Sequence, residues 1–218
     1  MNKQELFNRD LSSDEEIITR ILQGEKNMYT AIVRRYNQRL YRIAMSIIND
    51  SDEAEDTIQV SYIKAYEHLG QFGFKASFST WLTSILINES LLRLRTRRKQ
   101  INLKEDFTDN EIYQHQTSTV KTPITTMLNS ELKVILEQSV LQLPEKYRTI
   151  FVMREIEGMN VAETGQCLDI SEVNVKVRLN RAKALLKKSL SSFYKKEDIL
   201  HFHLTRCDRI VSHVMRQL

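Results

Sequence analysis

The chain has 218 residues, enough for one large domain or two small ones with real cores. Two Pro and five Gly are too few for the turns of a β-rich or α/β protein, so long helices are favoured. Lys and Arg number 32 against 28 Asp and Glu, a formal net charge of only +4, and the segregation of that charge along the chain therefore says more than its sum.

A first helix is announced by Ser13 with Glu16 three residues on, a capping box, followed by Ile17, Ile18, Ile21 and Leu22, with Gly24 ending it. A second runs from about Met28 to Ile48, with Ile32, Tyr36, Leu40, Ile43, Ala44 and Ile47 at helical spacing. Ser51, Asp52 and Glu53 read as the cap and acidic first turn of a third, whose stripe is Ile58, Tyr62, Ala65, Tyr66 and Leu69. Gly70 to Thr80 holds two Gly and three Phe with no helical period, and reads as a loop. A fourth helix begins near Trp81 and carries Leu82, Ile85, Leu86 and Leu92 into a basic run. There Arg93, Arg95, Arg97, Arg98 and Lys99 put five cations into seven residues.

From Lys99 to about Pro123 the pattern dissolves into polar and acidic residues, a tether rather than a core element. Helical spacing returns with Met127, Leu128, Leu132, Ile135, Leu136 and Val140. Pro144 then opens a helix carrying Ile150, Phe151 and Ile156 before Gly158 closes it. A short helix over Val161–Leu168 meets the break Asp169-Ile170-Ser171. Ser171 caps a last helix whose seam is Val175, Leu179, Ala182 and Leu186. Its other faces carry Lys176, Arg178, Arg181, Lys183 and Lys187; between Glu172 and Lys196 eight Lys/Arg stand against one acid. This is the layout of a helix-turn-helix, whose second helix enters the major groove. The plainer alternative is a helical hairpin with a solvated basic face.

The fold expected is all-α: two helical domains joined by a flexible linker, spanning 1–99, 100–126 and 127–192, with a helical extension over 193–218. In that extension His201, His203, Cys207 and His213 are potential metal ligands, but H-x-H-x3-C is not a standard zinc spacing. Cys207, Val211, Val214 and Leu218 also recur as an amphipathic seam, so a packed helix is the reading preferred and no metal or cofactor is expected. Two cysteines make no disulfide framework, the N-terminus lacks an apolar signal core, and no stretch is long and apolar enough for a bilayer. A cytoplasmic protein without membrane insertion is expected.

The run LPEKYRTIFVMREIEGMNVAETGQCLDISEVNVKVRLNRAKALLKKSL resembles region 4 of the sigma-70 family of bacterial RNA polymerase sigma factors. Leu143-Pro144, Arg148, Glu157-Gly158, Glu163, Ile170-Ser171, Val175-Lys176, Arg178-Leu179 and Arg181-Ala182 carry the likeness. Thr164-Gly165, Asp169 and Asn174 depart from it; Gly165 inside a short helix is expected to cost about 1 kcal/mol relative to Ala. The runs SDEAEDTIQVSYIKAYEHLGQF and FKASFSTWLTSILINESLLRLRTRRKQ are similar to regions 2.2 to 2.4 of the same family, in its extracytoplasmic function (ECF) group.

The resemblance implies a factor that binds bacterial core RNA polymerase and promoter DNA, recognises −35 and −10 elements and promotes melting, without enzymatic chemistry. An anti-sigma protein is a further partner it suggests. Ser171, Asn174, Lys176, Arg178, Arg181 and Lys183 would serve −35 DNA. Phe74, Lys75, Ser77, Trp81, Asn88, Arg93, Arg95, Arg97 and Arg98 would serve −10 DNA, although Trp81 fits a core position better than a stacking platform. Glu55, Asp56 and Gln59 would touch core polymerase, and Val60 stands where the family usually has an acid. The alternatives are a conventional helix-turn-helix regulator and, more weakly, a nucleic-acid enzyme. For the enzyme there is no Gly-rich phosphate loop, paired-carboxylate metal motif or nucleophile elbow.

Overall fold

A computed structural model describes residues 13–105, 127–191 and 213–216; side chains at 98, 100–105 and 127–132 fall outside the description. Among the described residues every regular element is helical. In chain order these are α1 (Asp14–Leu22), a 3-10 turn (Lys26–Met28), α2 (Tyr29–Ile48), α3 (Ser51–Glu67), a second 3-10 turn (Leu69–Gln71) and α4 (Phe78–Glu105). Beyond the linker come α5 (Met127–Leu141), α6 (Glu145–Phe151) running into a π-turn (Val152–Ile156), α7 (Val161–Leu168) and α8 (Glu172–Ser191).

Local rules set most of these boundaries. Ser13 caps α1 through Oγ, accepting from the Glu16 amide at 3.2 Å. At α3 the cap is Asp50, not Ser51: the Asp50 carboxylate accepts from the Glu53 amide at 3.0 Å, and Ser51 is already inside the helix. Asn49 just before it takes a left-handed conformation that ends α2, so the acceptor nearest the new helix becomes the cap. α4 starts three residues earlier than expected, because Ser77 Oγ accepts from the Thr80 amide at 3.2 Å. It also runs to Glu105, past the expected linker start, since nothing in Gln100–Glu105 breaks a helix.

In the first unit α2, α3 and α4 pack on one another, with α1 laid against α2. Ile17, Ile18, Met28, Ile32, Leu40, Ile43, Leu69, Leu82, Leu86 and Ile87 are its fully buried side chains. The buried tyrosines are anchored: Tyr29 donates to the Tyr62 carbonyl at 2.6 Å, Tyr62 to the Val33 carbonyl at 3.1 Å, and Tyr36 to Asp14. Burial holds all three phenols well above the ordinary tyrosine range.

The second unit contains few buried side chains of its own; along α8 only Val175 and Ala182 are buried, with Leu179 and Leu186 half-buried. It completes its core on the first unit. Val152, Met153, Met159 and Cys167 join the same apolar cluster as α1 to α4. α6 lies on α2 and α7 on α4.

The hinge pin of this contact is Arg148, 7% exposed. Its guanidinium donates to the Ser46 carbonyl at 2.6 Å, the Leu141 carbonyl at 2.6 Å and the Ile47 carbonyl at 3.5 Å. Thr149 Oγ1 donates to the Ser46 carbonyl at 3.3 Å, and Arg42 pairs with Glu157 at 3.1 Å. Cys167 donates through Sγ to the Thr80 carbonyl at 3.4 Å and accepts from Ser84 Oγ at 3.3 Å. Desolvation pushes its thiol above the usual cysteine range.

Three core expectations differ. Leu92 is 55% exposed, because it lies about 120° around α4 from Leu86, off the face that packs on α2 and α3. Ile156, the last residue of the π-turn, is 45% exposed, while Val152 and Met153 at its start are buried. In the tail only His213–Arg216 are described and all four are exposed, so Val214 is not buried there as the seam required. The remainder of that seam, and His201, His203 and Cys207, lie outside the described residues.

Candidate nucleic-acid interface

The helix-turn-helix is built as expected. α7 opens on a capping box in which Asn160 Oδ1 accepts from the Glu163 amide and Glu163 accepts from the Asn160 amide, both at 2.8 Å. It ends at Asp169, left-handed at φ 51°, a conformation that Asp tolerates. Gly165 is no defect in this turn. A Cβ there would stand 2.8 Å from the Ile170 carbonyl oxygen, so its absence lets α8 approach α7, and the expected loosening is replaced by a packing requirement. Ser171 Oγ then accepts from the Asn174 amide at 3.3 Å and caps α8.

α8 presents Ser171, Asn174, Lys176, Arg181 and Lys183 to solvent and Arg178 half-buried. Two of these cations have protein partners. Lys183 reaches Glu155 at 2.9 Å, and a hydrogen bond from Arg181, followed by the nearby Lys146 charge, draws the half-buried Tyr147 phenol below its ordinary range. The sequence also left unnoticed three exposed neutral residues of this helix, Val173, Val177 and Asn180. The signal was present as i, i+4, i+7 spacing on the side opposite the seam.

The second basic site lies on the first unit. The loop before α4 holds Phe74 49% exposed in a left-handed backbone, φ 54°, a conformation costing on the order of 1–3 kcal/mol for a non-glycine residue. Phe72 and Phe78 are buried beneath it, with ring centroids 4.7 Å from Phe74 to Phe72 and 5.2 Å from Phe72 to Trp81. Trp81 is half-buried in this aromatic group, consistent with a core position. Lys75 and Ser77 are exposed on the loop, and Asn88 is exposed on α4 nearly three turns on from Phe78.

Along the basic run Arg93 bonds Asp56 at 3.0 Å and approaches Glu53 at 4.0 Å, while Arg97 lies 3.8 Å from Glu53. Arg95 is exposed, and the Arg98 side chain is outside the description. Glu55, Asp56 and Gln59 form an exposed face of α3, with Val60 beside them. The acidic face and the basic run are therefore neighbours, joined through Arg93. Among the described residues no group of His, Cys, Asp and Glu is placed to hold a metal ion, and no helix is long and apolar enough to cross a membrane.

Two family descriptions match in chain order: "Sigma-70 region 2" over residues 32–100 and "Sigma-70, region 4" over residues 133–186. The chain is 29% identical to the ECF RNA polymerase sigma factor SigW of Bacillus subtilis, over 79% of its own length and 94% of that protein. It is also 29% identical to the RNA polymerase sigma-H factor of Pseudomonas aeruginosa, over 81% of its length and 93% of that protein. In fold it matches the sigma factor RpoE solved with the anti-sigma factor NepR from Bartonella quintana, at TM-score 0.58 and 18% identity over 75% of this chain and 96% of that one. It similarly matches CnrH, solved with the cytosolic domain of CnrY, at TM-score 0.57 and 20% identity over 83% of this chain and 99% of that one.

Proposed function

The chain belongs to the sigma-70 family of RNA polymerase sigma factors, in its ECF group, and from that membership we propose how its surfaces divide the work of starting transcription. The exposed α3 face of Glu55, Asp56 and Gln59 binds core polymerase. α8 reads the −35 element with Ser171, Asn174, Lys176, Arg178, Arg181 and Lys183. The loop of Phe74, Lys75 and Ser77, with Asn88 and the arginines at 93, 95, 97 and 98, captures and holds the melted −10 strand. Trp81 supports that loop from beneath.

Phe74 is the observation that carries most: an exposed ring held in a strained backbone over a buried aromatic group is a platform ready for an unstacked base. The arginines add a salt-dependent grip on phosphates. The work is binding and strand separation, without covalent chemistry, in the cytoplasm where polymerase and chromosome meet. The first unit spans about residues 1–105, the second 127–192, with a tether between and an extension after. An anti-sigma protein is a further partner, in keeping with the fold relatives solved beside such proteins.

The closed arrangement has a consequence for this division of labour. Packed helices lie about 8–10 Å apart, whereas elements about 25 base pairs apart lie about 85 Å apart at 3.4 Å per step. With α7 seated on α4, the two units cannot hold both elements at once. Initiation requires the second unit to leave the first.

Run-off transcription with purified core polymerase on sheared genomic DNA, with and without this protein, tests the reading. New discrete starts preceded by a shared two-part motif are expected. Duplex binding without polymerase, and no new starts, would favour a conventional helix-turn-helix regulator instead.

A further inference from the structure

The solvent side of α8 is not uniformly basic. At about 100° per residue, the buried pair Val175 and Ala182 marks one side of the helix. Val173, Val177 and Asn180 fall on the side diametrically opposite. Lys176 and Lys183 flank this stripe on one edge, and Asn174, Arg178 and Arg181 on the other. Val173 is 69% exposed and Val177 41% exposed. β-branched residues lower helix propensity, and at these positions they contact no core, so they add nothing to the stability of α8.

A helix with its side chains is about 10–12 Å across and the major groove is about 12 Å wide. When such a helix lies in the groove, its crest meets base edges and its two flanks meet the phosphate walls. Over the first three turns of α8, through Lys183, the crest is neutral, and the cations lie on the flanks. The one apolar group that base pairs offer in the major groove is the thymine C5-methyl, and an Asn side chain pairs bidentately with adenine N6 and N7. A guanine-reading helix would need Arg or Lys on its crest, where this one has Val and Asn.

We propose that Val173, Val177 and Asn180 set the promoter preference of this factor, the valines packing on thymine methyls and Asn180 bonding adenine, while the flanking Lys and Arg mainly hold phosphate. This assignment rests on α8 being the −35 reader proposed above. It predicts A·T pairs in the part of the upstream element that α8 covers.

The test uses the full chain with core polymerase on a promoter fragment recovered from the run-off experiment. Each upstream thymine is replaced singly by deoxyuridine, which removes only the methyl, and each adenine by 7-deazaadenine, which removes N7. For the wild-type protein at least one deoxyuridine should lower initiation about three- to tenfold, and Val173→Ala or Val177→Ala should abolish that sensitivity. Sensitivity to 7-deazaadenine should vanish likewise in Asn180→Ala. These variants should keep the wild-type salt slope, whereas Arg181→Ala should reduce it by about 1.

If every deoxyuridine and 7-deazaadenine fragment initiates within about twofold of the parent, the stripe does not read bases and the assignment falls while the −35 reading stands. The same holds if the valine variants bind promoter normally but lose affinity for core polymerase, which would make the stripe a protein-docking surface. Absence of initiation on the unmodified fragment would remove both.

Discussion

The two units differ in where their stability comes from. The first closes a core of its own from four helices, with the side chains of Ile17, Ile32, Leu40, Ile43, Leu82 and Leu86 sealed from solvent. The second buries two residues along its longest described helix, and Val152, Met153, Met159 and Cys167 complete its core on the first unit. On the proposed division of labour, the DNA-reading domain is held in place by the surface it must leave. Its recognition helix can be remodelled cheaply, because little of the fold depends on the outer faces of α8. Its docking residues cannot.

The largest effects should expose that dependence. Leu40→Ala empties a fully buried site in the first unit and should cost about 3–5 kcal/mol, unfolding both units together in urea. Arg148→Ala removes the donor from three backbone carbonyls and should cost about 3 kcal/mol, with the loss confined to the second unit. Hydrogen exchange read residue by residue separates the two: protection should collapse in α6 to α8 but persist in α2 to α4 of Arg148→Ala. Equal loss in both units would mean that one cooperative body, not a leaning one, is present.

The turn between α7 and α8 gives the next largest effect. Gly165→Ala sets a methyl 2.8 Å from the Ile170 backbone oxygen, so the turn must shift, and should cost about 2 kcal/mol. Melting of the second unit and binding to upstream duplex should both weaken; an unchanged or raised melting temperature would show that α7 can shift away.

Sequence alone made the boundaries of α1, α2, α7 and α8 legible, because Ser13, Gly24, Asp169 and Ser171 act within a few residues of themselves. It placed the helix-turn-helix and its seam for the same reason. What it could not supply is non-local. Apolar spacing marks α4 as a helix but not which of its apolar residues face the neighbours, so Leu92 was counted inward and lies outward, beside the partly buried Leu91 and Leu94. Arg148 reads as surface in any sequence, and only the carbonyls of Ser46 and Ile47, about a hundred residues away, make it an interior residue. Gly165 looked like a helix weakener until Ile170 stood beside it.

Cys167 offers a smaller and more selective probe of the same seam. Its folded pKa is raised by burial, so its contribution is fully present below the unfolded value of about 8.5 and is lost as pH rises from there toward the folded value. Docking of the second unit should therefore loosen above about pH 8.5, before the buried tyrosines titrate. In a Cys207→Ser chain, alkylation of Cys167 should be slow at neutral pH and should accelerate when core polymerase and promoter are added together. Labelling at the rate of an exposed thiol from the start would show that the units already part in the free protein.

The finest distinction lies within the first unit, where the proposed polymerase face and the proposed −10 face share the Arg93–Asp56 ion pair. Asp56 binds Arg93 at 3.0 Å, so in the free protein a proposed polymerase contact and a proposed phosphate contact occupy each other. Arg95 is exposed on the same helix. Arg95→Ala should reduce the salt slope of binding to melted −10 DNA by about 0.7, whereas Arg93→Ala should reduce it less, because Arg93 must first give up Asp56. Asp56→Asn should tighten the grip on single-stranded DNA slightly while weakening affinity for core polymerase, each by about 1 kcal/mol or less, as expected for a partly exposed pair. Opposite signs in the two assays are the telling result. They would mean that polymerase docking draws Asp56 away and releases Arg93 for DNA, which couples the two surfaces through a single carboxylate.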